Sequence, residues 1–189
     1  MKKKYYLLLC RSILILMFVQ NISTAQTHYL SFHYEPMWTS VSHSNYEADY
    51  FLPISLGVSY SCKIVDYLGV SIRGGYIMPV QRYFGGFQNG AYIKYFWDTG
   101  LNLMVGVNNN KFTSGNHPNF SVVNKKEITY FAAGIGYPLG AFDLELQYLS
   151  PVSREIGYEL INAPTVEGSH SPIYINSMIK LSIAYSIEL

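Results

Sequence analysis

Ile179-Lys180-Leu181-Ser182-Ile183-Ala184-Tyr185-Ser186-Ile187-Glu188-Leu189 is the stretch that decides the fold. Ile179, Leu181, Ile183, Tyr185, Ile187 and Leu189 alternate with Lys180, Ser182, Ala184, Ser186 and Glu188. Successive side chains of a strand point to opposite faces, so a period of two describes a strand with one apolar and one polar side. The same rhythm recurs upstream. Phe142, Leu144, Leu146 and Tyr148 alternate with Asp143, Glu145 and Gln147. Leu101, Leu103, Val105 and Val107 alternate with Asn102, Met104, Gly106 and Asn108, and Ile54, Leu56, Val58 and Tyr60 with Ser55, Gly57, Ser59 and Ser61. Weaker runs at 30–35, 70–76, 91–97 and 127–137 bring the predicted strands to eight. In the least regular of these, Phe131, Ala133, Ile135 and Tyr137 are assigned to one face, and Tyr130, Ala132, Gly134 and Gly136 to the other.

The connections alternate in length. Short links fall around 63–67, 98–100 and 138–140, and longer polar loops near 39–50, 81–89, 111–125 and 151–171. Ser, Asn, Gly and Pro are abundant in the long ones, as expected of exposed turns. Short turns on one side and long loops on the other describe an antiparallel up-and-down meander, not the Greek-key path of a sandwich.

Composition decides which face meets what. The chain of 189 residues is 49% hydrophobic and only 13% charged, with 18 tyrosines. A water-soluble sandwich would carry many Lys and Glu on its polar faces. Here those faces hold mostly Ser, Gly, Asn, Tyr and Gln. The faces therefore suit a barrel turned inside out, with apolar side chains in lipid and a polar interior. Closure satisfies every backbone group in hydrocarbon and removes edge strands. The formal net charge of +1 excludes a simple nucleic-acid binder.

The first 25 residues are expected to be a cleaved signal peptide, leaving 26–189 as the barrel domain. Lys2-Lys3-Lys4 precedes the apolar run Ile13–Val19, and Ser23 and Ala25 are small residues suited to cleavage. Removal takes four basic residues and no acidic ones, moving the formal charge from +1 to −3. It also takes Cys10, so Cys62 stands without an intrachain disulfide partner.

With signal, eight strands and lopsided loops in place, the chain resembles the small outer-membrane β-barrel proteins of the OmpA/OmpX type in Gram-negative envelopes. Its end, with Tyr185, Ile187 and Leu189, is similar to the C-terminal signal read by the barrel-assembly machinery. It departs by having Ala184 where Gly is usual and Leu189 where Phe is commonest. The resemblance implies an outer-membrane location, long loops outside and both termini in the periplasm. Partners would be outer-membrane lipid, lipopolysaccharide and the assembly machinery.

Aromatic residues at both strand ends suit two membrane interfaces: Tyr60, Trp97, Tyr137, Phe142 and Tyr185 near the short turns, and Tyr34, Trp38, Phe51, Tyr76 and Tyr148 near the long loops. The alternation turns Glu35, Arg73, Lys94, Asp143, Glu145 and Lys180 inward. Buried charges need partners, so a lumen network is expected, with Glu145 contacting Lys180 or reaching across to Arg73. Eight strands enclose only enough room for side chains, which favours a plugged scaffold over a gated ion path.

The function expected is non-enzymatic: a structural barrel, or one that binds or adheres through its loops. A second reading is an accessory barrel of an envelope secretion or assembly system. A third follows from barrels of this size that are lipid A deacylases or palmitoyltransferases. It would use His43 and His170 as bases and Ser171 as nucleophile, in the flanking Ser-His-Ser runs. No His-x-Ser-Asn motif sits on a strand to support it. His43, His117 and His170 are irregularly spaced and unaided by Cys, so no metal site and no cofactor are expected.

Overall fold

A computed structural model describes residues 27–42, 47–78, 85–112, 121–122, 127–161 and 169–189. The predicted signal peptide lies outside the described residues. In chain order the strands are β1 (Thr27–Tyr34), β2 (Met37–Ser42), β3 (Glu47–Leu52), β4 (Ser55–Val65), β5 (Leu68–Ile77) and β6 (Gly86–Phe96). They continue with β7 (Asn102–Phe112), β8 (Ser121–Val122), β9 (Glu127–Leu139), β10 (Phe142–Pro151), β11 (Glu155–Ile161) and β12 (Ser169–Glu188).

Eight of these strands close on themselves in the order β1-β4-β5-β6-β7-β9-β10-β12, with β12 returning to β1. Every pairing in the ring is antiparallel. The predicted meander is thus the fold: an all-β, eight-stranded, closed up-and-down barrel. Closure depends on Phe32 pairing with both Val58 of β4 and Tyr185 of β12, which joins the chain's two ends. The short turns are 66–67 after β4, 97–101 after β6 and 140–141 after β9, and Gly100 (φ +86°) and Gly140 (φ +68°) supply backbone that a side chain would strain.

The long loops are shorter than the sequence suggested. β2 and β3 occupy most of 39–50, β6 starts at Gly86, and β11 and the head of β12 fill much of 151–171. The reason is a change of sidedness along the strands. In the turn-side part the outward positions are apolar, as in Leu103, Val105 and Val107, all more than 40% exposed. On the loop side the pattern inverts. Val41, Leu52, Ile128 and Ile175 point inward and are buried, while Glu47, Asp49, Lys111 and Glu127 are exposed. Strand bulges accompany the change: the ladder slips between Ile175 and Ser177, and Pro53-Ile54 separate β3 from β4.

The interior therefore has two parts. Ser31, His33, Ser59, Ser71, Asn102 and Ser182 line the turn-side half. Met37, Leu52, Ile77, Phe112, Ile128, Tyr130, Ile175 and Met178 pack into an apolar core in the loop-side half. A wholly polar lumen, as expected from the alternation, is corrected to this divided one. The strands span more than the apolar band requires: β12, 20 residues long, covers about 50 Å at about 3.3 Å per residue and a tilt of about 40°, against a band of about 25 Å.

Candidate functional site

Between the two halves of the lumen lies a network of buried charges. Glu35 occupies the break between β1 and β2, where its backbone N–H donates to the Ser55 carbonyl at 2.8 Å. Arg73 on β5 is 4% exposed and Glu145 on β10 2%, while Glu35 and Lys180 are fully enclosed. Arg73 Nη1 donates to Glu35 Oε1 at 2.6 Å, and its Nη2 to Glu145 Oε2 at 2.5 Å. Lys94 Nζ, from β6, donates to Glu145 Oε1 at 2.6 Å. Lys180 Nζ approaches Glu35 Oε1 at 3.4 Å.

One guanidinium, facing Glu145 across the barrel, thus joins it to Glu35 on the wall between them, which a planar fork does and a single ammonium does not. Neutral groups complete the carboxylates. Gln88 Nε2 donates to Glu35 Oε2 at 2.5 Å and to Ser55 Oγ at 2.8 Å, and Gln147 Nε2 to Glu145 Oε2 at 3.2 Å. The Arg73 guanidinium carbon also stands 5.3 Å from the Tyr92 ring centroid, a cation–π contact. Such pairing is what permits charge in a closed interior, with Arg73 Nε and Gln147 Oε1 left as buried atoms without a hydrogen bond.

Of the six charges assigned to the interior, the structure gathers five. Glu145 meets Arg73 and Lys94; Lys180 goes to Glu35 rather than to Glu145. Asp143 lies near the turns and accepts from Ser186 Oγ at 2.5 Å, apart from the network. Two residues escaped sequence reasoning. Gln88 was assigned to a loop, yet bridges Glu35 and Ser55. His33, in the run 30–35, carries no distinguishing signal in sequence, yet Nε2 contacts Ser59 Oγ at 2.7 Å and Nδ1 contacts Ser182 Oγ at 2.9 Å, tying β4, β1 and β12 together.

The outward faces carry the aromatic residues. Tyr34, Trp38, Tyr60, Trp97, Tyr137, Phe142, Tyr148 and Tyr185 are exposed, whereas Tyr76 is half-buried and packs edge-on against Phe87 at 5.1 Å. Trp38 stacks on Phe51 at 4.9 Å, and Tyr34 donates to the Pro53 carbonyl at 2.7 Å. Tyr185 and Ile187 of the final strand, and Leu189 just after it, are also exposed.

His43 and His117 lie outside the described residues, and nothing is described of the His170 and Ser171 side chains. The backbone does place the first and last loops on adjacent strands, since Ser42 of β2 pairs with Tyr174 of β12.

No family model and no curated protein matches this chain. Among solved structures it is similar to neisserial surface protein A, NspA, at 14% identity and a TM-score of 0.46, covering 88% of this chain and all of the other. It is also similar to Ail, the attachment invasion locus protein of Yersinia pestis, crystallised with the heparin analogue sucrose octasulfate. That match has 14% identity and a TM-score of 0.43 over 87% of this chain and 100% of Ail. The N-terminal β-barrel domain of Pseudomonas aeruginosa OprF aligns at 14% identity and a TM-score of 0.40, over 83% of this chain and 97% of that one.

Proposed function

We propose that the protein is an exported, non-enzymatic outer-membrane barrel whose loop-side end is a platform for binding at the cell surface. The observation that carries this reading is the inversion of sidedness along the strands. The turn-side wall turns apolar side chains outward and closes over polar ones, an arrangement stable only in hydrocarbon. The loop-side wall has an apolar interior and a charged exterior, the arrangement of a protein in water. Strands of one barrel thus run from one solvent into the other and hold the loops between them. The short turns and both termini would lie in the periplasm.

Fractionation and loop exchange test this. The folded protein should partition with the outer membrane and migrate differently on gels before and after boiling. Replacing residues 43–46 and 162–168 with short turns should preserve that heat-modifiability and abolish adherence of cells to an immobilised host or environmental ligand. Adherence unchanged by the exchange would overturn the binding role. A lipid A profile altered by deleting the gene would overturn the non-enzymatic one.

A further inference from the structure

β7 carries three consecutive asparagines, Asn108-Asn109-Asn110, of which the outward Asn109 donates to Thr129 Oγ1. The other two point inward. Strand backbone does not ask for them, because Asn is a poor strand former and a buried amide costs free energy wherever its polar atoms lack partners. Asn108 stands opposite Tyr130 of β9 across the ladder, and Asn110 stands opposite Ile128. Tyr92, Phe112, Ile128 and Tyr130 belong to the apolar core of the loop-side half. Asn108, Asn110 and Tyr130 are each at most 1% exposed.

Their hydrogen bonds do not close among themselves. Asn108 Nδ2 donates to the Tyr92 hydroxyl at 2.9 Å, which orients the amide and leaves Oδ1 as its unused end. Asn108 Oδ1, Asn110 Oδ1 and Nδ2, and the Tyr130 hydroxyl have no hydrogen-bond partner among the described residues. The Asn110 amide approaches the Tyr130 hydroxyl without the geometry of a hydrogen bond. Four buried polar atoms left so would penalise the fold heavily, and their chemistry selects what serves them. Asn110 Nδ2 offers a proton, the two carbonyl oxygens accept one, and the phenol does either. Exchanging N and O of the Asn110 amide changes nothing, since both are unpartnered. None of the three side chains is charged. A cation would face the amide N–H, and an anion would face two carbonyl oxygens. Water both gives and takes, and a buried one needs two to four such partners. We propose that Asn108, Asn110 and Tyr130 form an internal hydration site, holding an ordered water within the apolar core. The water accepts from the Tyr130 hydroxyl or Asn110 Nδ2 and donates to the two carbonyl oxygens, linking side chains of β7 and β9.

High-resolution crystals of the purified protein in detergent test this directly. A density peak should lie within about 2.7–3.2 Å of Asn108 Oδ1, the Asn110 amide and the Tyr130 hydroxyl. In micelles, the Asn110 side-chain amide protons should show cross-relaxation with water of the sign that marks a bound molecule. Asn110→Leu, close in volume, removes two of the four atoms and should abolish the peak while heat-modifiability is kept. A peak unchanged in Asn110→Leu would overturn the site by giving the water to other partners. The parent protein decides the question even where that variant does not fold. Direct hydrogen bonds among the three side chains, with no density between them and no cross-relaxation with water, overturn the site. An anomalous peak there after rubidium soaking would overturn it as well, by showing a cation in place of water.

Discussion

Arg73 is the residue on which the interior turns. It neutralises two carboxylates carried by different strands, Glu35 and Glu145, and removing it leaves both with less charge compensation in a closed lumen. Arg73→Met is expected to cost about 3–5 kcal/mol, measured by urea titration of the barrel refolded in detergent or lipid. Arg73→Lys should recover only part of that loss, because one ammonium does not serve Glu35 and Glu145 together. Adding Glu145→Gln to Arg73→Met should be less damaging than the sum of the separate effects, since the carboxylate left in excess is then gone. The inward positions of these charges were legible from the alternation of Lys180 with Leu181 and of Glu145 with Leu146. Their pairing was not. Lys180 meets Glu35, 145 residues away, only because β12 closes against the β1–β2 strand.

At the level of the strand, each element carries two readings in sequence. Val105 on β7 is outward and 56% exposed in the middle of the apolar band, and Val105→Arg should cost about 2–4 kcal/mol. Asn109 lies on the same face of the same strand, where its Nδ2 donates to Thr129 Oγ1 at 3.1 Å near the loop-side edge of the band. Asn109→Arg should cost about 0–1 kcal/mol beyond the lost hydrogen bond. Folding titrations into lipid vesicles compare the two, and equal costs would contradict the boundary drawn between them. Gly106 answers to a different constraint. A Cβ there would collide with the Ala91 carbonyl and crowd Tyr92, so Gly106→Val should prevent the heat-modifiable form from appearing. The strands of the band were read correctly because lipid-facing alternation is regular. Their extensions read as loops in sequence because apolar residues change from outward to inward there, with Thr39, Ser40 and Ser42 around Val41 breaking the count.

For the whole molecule, closure and plugging are one problem. The ring leaves no edge within the band, and the loop-side core of Met37, Leu52, Ile77, Phe112, Ile128 and Met178 fills its mouth. Below it the Arg73 network binds the walls together. An ion entering from the turn side therefore meets fixed charges and then packed apolar side chains. Planar-bilayer recording should show no stepwise conductance, and steady channels in the parent protein would contradict the packed core. Sequence by itself determined the number of strands in the ring, their antiparallel order, the outward apolar side of each and the inward charges. These follow from period-two alternation and turn chemistry, which are local. Only the tertiary structure decided how far the strands continue, that the upper lumen is an apolar core and which charges pair. Each of these depends on which residues non-adjacent strands bring side by side, and that register is set by the closure of the whole ring.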